Sequence, residues 1–400
     1  MLPFIENKGD CTGCTACLSA CPIHCISMEC DKEGFLYPVS SDSCIHCGLC
    51  ERICPIKNPD NMHNSFQQRA FAGISKNNKI WHDSASGGAF SEICRAWGND
   101  ETVYCGAAWE DLSVRHKCIE GYENIGILRK SKYVASNVEG VFPEIKCELD
   151  KGKFVVFSGT PCQVAGLKKY LKKNYEKLLL IDLICHGVGS PLVFEECMKQ
   201  LGNQFHGKVI SYSFRSKRRL YEMDHIQKIN VNEDNIYVMN DQYIQLFLSQ
   251  NCLRPCCGQN CRFRNLNRQG DITIADFKGL TKVFPDMVGE KYNYSTIVFN
   301  SHKGYEMLSK LSKTMNLREC SMDEIKKHNP LIYRQTSFSK NRDTFFSDFT
   351  KSPSEAIQKW TKPAEYAKLG WKRRLFGLLP VALRRMILAV IDYLTCRGGN

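Results

Sequence analysis

No stretch of about 18 consecutive apolar residues occurs in this 400-residue sequence, which excludes an ordinary membrane-spanning helix. The first residues, MLPFIENKGDC, contain neither an apolar h-region nor a small-residue cleavage site. The expectation is therefore a cytoplasmic chain. No G-x-G-x-x-G follows a strand-like run, so a Rossmann nicotinamide site is not indicated. An aromatic-and-basic platform is also missing, and nucleic acid is not expected as a partner. Acidic side chains are in deficit: 42 Asp and Glu face 54 Lys and Arg, a formal charge of +12. That excess suits an anionic membrane surface or an acidic redox partner. Much of it lies in the last 40 residues.

What is abundant is cysteine. There are 23, and ten fall within the first 54 residues. A disulfide scaffold belongs to short exported chains. In a long chain without an export signal, this many thiols argue for a reducing compartment and metal–thiolate chemistry. The rest of the composition, 43% apolar and 24% charged, predicts a large buried core and two or more domains.

The cysteines form a repeat. Cys11, Cys14, Cys17 and Cys21 precede Pro22, and Cys44, Cys47, Cys50 and Cys54 precede Pro55. Both runs read C-x2-C-x2-C-x3-C-P, the bacterial ferredoxin pattern, in which the fourth cysteine ligates the other cluster. The spacing assigns one [4Fe–4S] cluster to Cys11, Cys14, Cys17 and Cys54, and a second to Cys44, Cys47, Cys50 and Cys21. Zinc modules use pairs of C-x2-C and lack the trailing Cys-Pro. Cys25 and Cys30 read as ordinary thiols. The polar segment NPDNMHNSFQQR (58–69) reads as a linker.

Farther on, KFVVFS (153–158) and LLLIDLI (178–184) read as buried strands, each followed by a helical pattern (163–175 and 191–202). This β-α-β-α order predicts parallel strands with right-handed crossovers. Cys162 and Cys185 each lie just past a strand's carboxyl end. On neighbouring strands they would come within about 5 Å laterally, facing the crevice where open α/β sheets bind ligands. NCLRPCCGQNC (251–261) supplies two more thiols, Cys257 or Cys256 with Cys261. A third [4Fe–4S] site is the expectation, with a zinc knuckle or unligated thiols as the alternative. WHDSASGGAFSEICRAW (81–97) reads as a loop entering a helix, with Ser84 or Ser86 as cap. Gly87 and Gly88 there would bring backbone amides to a phosphate. DITIADF (271–277) reads as a strand ending at Asp276 and Lys278. Cys94, Cys105, Cys118, Cys147, Cys197, Cys320 and Cys396 read as packing or surface thiols.

SxSGG (84–88), SKYVAS (131–136), FSGTPCQVAGL (157–167), DLICHGV (182–188), LRPCCGQNC (253–261) and DITIADFKG (271–279) occur in this order. Together they resemble the coenzyme F420 hydrogenase/dehydrogenase beta-subunit family. The two ferredoxin runs and EGFLYP (33–38) resemble its bacterial members. The resemblance implies an FAD-dependent iron–sulfur oxidoreductase; the ferredoxin runs and basic tail suit equally the alternative, a non-catalytic electron-transfer subunit that feeds a separate redox enzyme. The flavin site of the oxidoreductase would be lined by Ser84, Ser86, Gly87, Gly88, Lys132, Tyr133, Ser136, Gly159, Thr160 and Gln163. Lys132, Asp276 and Lys278 are then the candidate catalytic residues, and Cys162, Cys185, Cys257 and Cys261 the inner cluster's ligands. Ferredoxin or another redox protein, coenzyme F420 and a small organic substrate are the exchange partners implied. Some relatives are associated with surface polysaccharide synthesis. Cys257-x3-Cys261 replaces the family's C-x2-C, and Lys278 stands where a Trp is common.

The expected architecture is mixed, α+β or α/β. A ferredoxin-type domain (1–57) and the linker (58–69) would precede an FAD- and iron–sulfur-binding domain (70–345). A second linker (346–369) would lead to a basic amphipathic helical tail (370–400). Lys372, Arg373, Arg374, Arg384 and Arg385 divide the tail's apolar runs, and Pro380 interrupts it. The segment 370–394 suits either peripheral membrane contact or packing on the body.

Overall fold

A computed structural model describes residues 1–59, 66–217, 226–258, 261–287, 293–335 and 339–366, with 379, 380, 383, 386 and 387. The expected tail, 370–400, lies almost wholly outside the described residues, and so does half of the first linker. No described helix is long and apolar enough to cross a membrane.

Near the N-terminus, an antiparallel ribbon, β1 (Ile26–Cys30) and β2 (Leu36–Ser40), separates the two cysteine runs. Each run feeds a short helix, Ala16–Ala20 or Leu49–Arg52. The strands that follow are β3 (Arg69–Ser75), β4 (Val103–Glu110), β5 (Ser113–Glu120), β6 (Val155–Ser158), β7 (Leu178–Leu183), β8 (Val209–Ser213), β9 (Ile226–Val231), β10 (Asp234–Met239), β11 (Ile272–Asp276), β12 (Ser295–Phe299), β13 (Met315–Cys320) and β14 (Glu365–Tyr366). Eight of them form one mixed sheet in the order β13-β3-β12-β11-β7-β6-β4-β5. Its centre is parallel: β4 with β6, β6 with β7, and β7 with β11. Strands covered on both faces are apolar throughout, which is why VVFS and LLLIDL read so clearly. A smaller antiparallel sheet, β14-β10-β9-β8, packs beside it.

Asp182, wholly buried in β7, is the polar exception. Its carboxylate accepts from Arg268 (3.0 Å), Thr273 Oγ1 and the amides of Gln269 and Gly270. A buried carboxylate persists only when its lone pairs are satisfied. Here the network ties the chain after Cys261 to the end of β7.

Two boundaries differ from the sequence expectation. The N-terminal module shares its core with the body: Ile5, Cys11, Cys25, Phe35 and Tyr37 pack in one apolar cluster with Val193, Phe194, Phe247 and Phe345. Glu33 forms an ion pair with Arg342 (2.6 Å), and Ser190 Oγ donates to the Glu33 carbonyl. The segment 346–369, expected as a linker, contains most of a helix at Arg342–Lys351 and a second at Pro353–Trp360. Phe345, Phe346, Phe349 and Ile357 are buried. Pro353 occupies a first helical turn, where its missing N–H costs nothing.

Candidate functional site

Backbone turns set the thiols of the first run. Thr15 and Gly13 hold positive φ, and the Gly13 amide donates to Cys11 Sγ at 3.4 Å. Cys11, Cys14, Cys17 and Cys54 together line one small cavity, the crossed set that the spacing assigned to one cluster. The helix Pro161–Leu171 presses against it: a Cβ on Gly166 would lie 2.9 Å from both Cys14 Cβ and Sγ. On the opposite side, Cys25 faces Cys21, with sulfurs 3.4 Å apart, and also Cys44. Cys25 is thus a neighbour of the second set rather than an ordinary packing thiol. Cys47 is exposed there, next to Ile45.

Cys162 begins the helix after β6, and Cys185 follows β7 by two residues. With Cys256, Cys257 and Cys261 they line an enclosed pocket that also touches Thr12, Gly13 and Ile56 of the N-terminal module. Burial pushes the Cys185 thiol up to about 12, and Cys162 and Cys261 rise for the same reason. Cys257 runs the other way, to about 7, because the adjacent Cys256 thiol donates to it. Cys162, Cys185 and Cys261 all feel Cys257, whereas Cys256 acts on Tyr37 and both act on Arg254. The arrangement favours Cys257 over Cys256 as the fourth member. Among the described residues no three Cys, His, Asp or Glu side chains converge as a single-ion site. Four thiols around one space are instead the donor set of a [4Fe–4S] cluster, and both the module's inward cavity and this pocket have it.

A larger cleft, about 420 Å³, opens beside the inner pocket. Ser136, Thr160, Gln163, Cys185, Gly187 and Val188 line both. The helix Ala89–Ala96 points its N-terminus into the cleft with Gly88 as cap and no side-chain cap. Neither Ser84 nor Ser86 caps it, contrary to expectation. Ser84 donates to the Ile80 carbonyl and Ser86 to that of Tyr294. The Gly87 amide donates to Ser295 Oγ, and a Cβ there would lie 2.2 Å from the Gly73 carbonyl oxygen. Gly87 therefore serves close packing against β3 and β12. The open amides at the start of this helix are the anion-binding feature.

Tyr133 stacks on Phe247 with centroids 4.9 Å apart. Ser136 donates to His116 Nδ1 (2.9 Å) and accepts from Gln163 Nε2 (3.0 Å), and Gln163 Oε1 accepts from the Thr160 amide. His116 Nε2 donates to the Ser158 carbonyl. Burial holds this histidine down to about 4, so it is neutral and its tautomer is fixed. Gly159 lines the cleft above Phe157. Lys132 donates to the carbonyls of Ile127 and Arg129, and desolvation, then Lys130, lower it to about 7. Asp276 is held by Arg215 (2.7 Å), and Lys278 lies exposed at the cleft's rim. His186 Nε2 lines the cleft, buried and without a hydrogen-bond partner. A cleft of this size, with aromatic surface, open helix amides and an orphaned imidazole nitrogen, fits a nucleotide-type cofactor.

Several functional side chains escaped the sequence reading. Arg215 also donates to the Ala85 carbonyl, and Lys217 to those of Trp81 and Ser86. Both arise from the FRSK run (214–217), whose basic residues carried no motif. His116 had no local signal either, and Arg254 lay within LRPCCGQNC without being singled out. Cys105 and Cys118, expected as separate thiols, form a disulfide across β4 and β5.

Residues 152–325 match the family described as the C-terminal part of the coenzyme F420 hydrogenase/dehydrogenase beta subunit, and residues 10–58 match a 4Fe-4S dicluster domain. No curated protein matches the chain. Among solved structures, a chain of the F420-reducing [NiFe] hydrogenase complex from Methanosarcina barkeri, studied by xenon derivatization, is similar at 14% identity and a TM-score of 0.43. The match covers 72% of this chain and 89% of that one.

Proposed function

We propose that this chain, a relative of the coenzyme F420 hydrogenase/dehydrogenase beta subunits joined to a dicluster domain, is an FAD-dependent iron–sulfur oxidoreductase. One observation carries the reading: three candidate cofactor sites adjoin in series. The cleft and the inner thiol pocket share a wall. The inner pocket and the module's inward cavity share a seam in which Ile56, Ala165 and Phe263 pack with Cys54, Cys162 and Cys261. A bound FAD would supply two-electron chemistry and its division into single electrons, which the clusters carry onward.

The chain's own residues bind, orient and shield. Gly88, Ala89 and Phe90 offer amides to the cofactor's phosphates. The Ser136, Gln163 and His116 network presents a hydroxyl of fixed direction. The apolar seam excludes water between the thiol sets. Arg129, Lys130, Lys132, Arg215 and Lys278 give the cleft a positive lining, which suits an anionic exchange partner, coenzyme F420 among them. Exposed Cys47 beside Ile45 suits exchange with a ferredoxin-type protein at the far end.

Anaerobic iron, sulfide and flavin analysis of the purified chain tests the reading. Three cubanes require about 12 iron atoms, and one released FAD is expected with them. About eight iron and no flavin would instead leave a ferredoxin-bearing partner subunit and sink the flavoenzyme reading.

A further inference from the structure

Among the described residues, three of the five buried arginines pair with carboxylates. Arg215 pairs with Asp276 at 2.7 Å, Arg268 with Asp182 at 3.0 Å and Arg342 with Glu33 at 2.6 Å. Arg254 has a different environment. It is 3% exposed, yet among the described residues no carboxylate pairs with it. Its guanidinium donates to the carbonyls of Cys11 and Leu36, each at 2.9 Å, and Nη2 lies 3.7 Å from Cys11 Sγ. The Tyr37 ring lies under it, 4.3 Å from the centroid. A Cβ on Gly13 would meet Nη1 at 3.0 Å, so the guanidinium lies close over this positive-φ glycine. The ionisable groups that act on Arg254 are the thiols of Cys11, Cys256 and Cys257 and the Tyr37 phenol. Cys11 belongs to the module's inward set and Cys257 to the inner pocket.

A buried cation without a counter-charge is costly. Thiolate-bound cubanes are net anions on either side, and each becomes more negative when it takes an electron. We infer that Arg254 is the counter-charge shared by these two neighbouring [4Fe–4S] sites, and that it raises the reduction potential of the Cys11, Cys14, Cys17 and Cys54 site above that of its pseudo-symmetric twin. It is a positioning and tuning residue that ligates nothing. Hydrogen bonding and charge around cluster sulfurs set potentials over a wide range. The inference rests on the iron–sulfur reading proposed above. Iron content tests that reading, and midpoint potentials test Arg254.

The experiment is an anaerobic potentiometric titration of the full-length, iron-loaded chain, followed by electron paramagnetic resonance. The wave of the inward site is identified by its loss in Cys14→Ser. Arg254→Gln keeps hydrogen-bonding capacity and removes charge. It is expected to weaken reduction at that site at least ten-fold, a downward shift of about 59 mV for a one-electron couple, with the Cys44, Cys47, Cys50 and Cys21 site unmoved. Arg254→Lys keeps a charge but draws it back from Cys11, so a smaller shift of the same sign is expected. Should the glutamine chain fail to load the inward site, the lysine chain decides: a partial downward shift supports the inference and none overturns it. An unchanged midpoint in a fully loaded glutamine chain, or equal shifts at all sites, also overturns it.

Discussion

His116 is a side chain whose chemistry is set by where it sits. Burial holds it down to about 4, against an ordinary value near 6.5. As pH falls through 6.5 the unfolded chain takes up a proton that the folded chain refuses until about 4. Stability is therefore lost on acidification across that window, by up to about 3 kcal/mol. His116→Asn is expected to reduce the drop in unfolding midpoint between pH 7 and pH 5, as followed by circular dichroism. An undiminished drop would place the acid sensitivity elsewhere. Lys132 also has a lowered value, about 7, in a cleft that suits anions. A bound anion favours its charged form, so flavin affinity is expected to fall as pH rises from 7 to 9. The fall is up to about ten-fold per unit, and it vanishes in Lys132→Met. Flavin titrations at several pH values give the answer.

At the scale of elements, the helix Pro161–Leu171 is the joint of the molecule. It begins with Cys162 of the inner pocket, and one turn later Gly166 lies against Cys14 of the inward set. Alanine is the better helix former by about 1 kcal/mol, but its Cβ would fall 2.9 Å from the Cys14 sulfur. Gly166→Ala is expected to lose about four of twelve iron atoms while the helix persists by circular dichroism. Full iron content would show that the cavity relaxes around the methyl group.

The sequence made the strands Val155–Ser158 and Leu178–Leu183 plain, because a doubly covered strand must be apolar along its length. The cysteine runs were equally plain, since ligand spacing is local. The helices at 342–360 were hidden by polar residues and a proline, although Pro353 marks a helix start. Arg215, Lys217 and His116 were illegible for another reason. Their partners Asp276, Trp81 and Ser158 lie 42 to 136 residues away, and only the fold brings them together.

Across the whole molecule, the two ferredoxin runs match in spacing but face different surroundings. Ile56, after Cys54-Pro55, is 5% exposed against the body, whereas Ile23, after Cys21-Pro22, is 40% exposed and Ile45 is 62% exposed. One end of the module is sealed and the other is open. The open end, with Cys47 at the surface, is where dioxygen and chelators arrive first. Air damage should accordingly be ordered: the outward site is dismantled early, and the inward site and the inner pocket, buried against the body, outlast it. A chain caught partway through oxidation would still hold the electrons of its interior while having lost the means to deliver them, so its failure would look like disconnection before it looked like collapse.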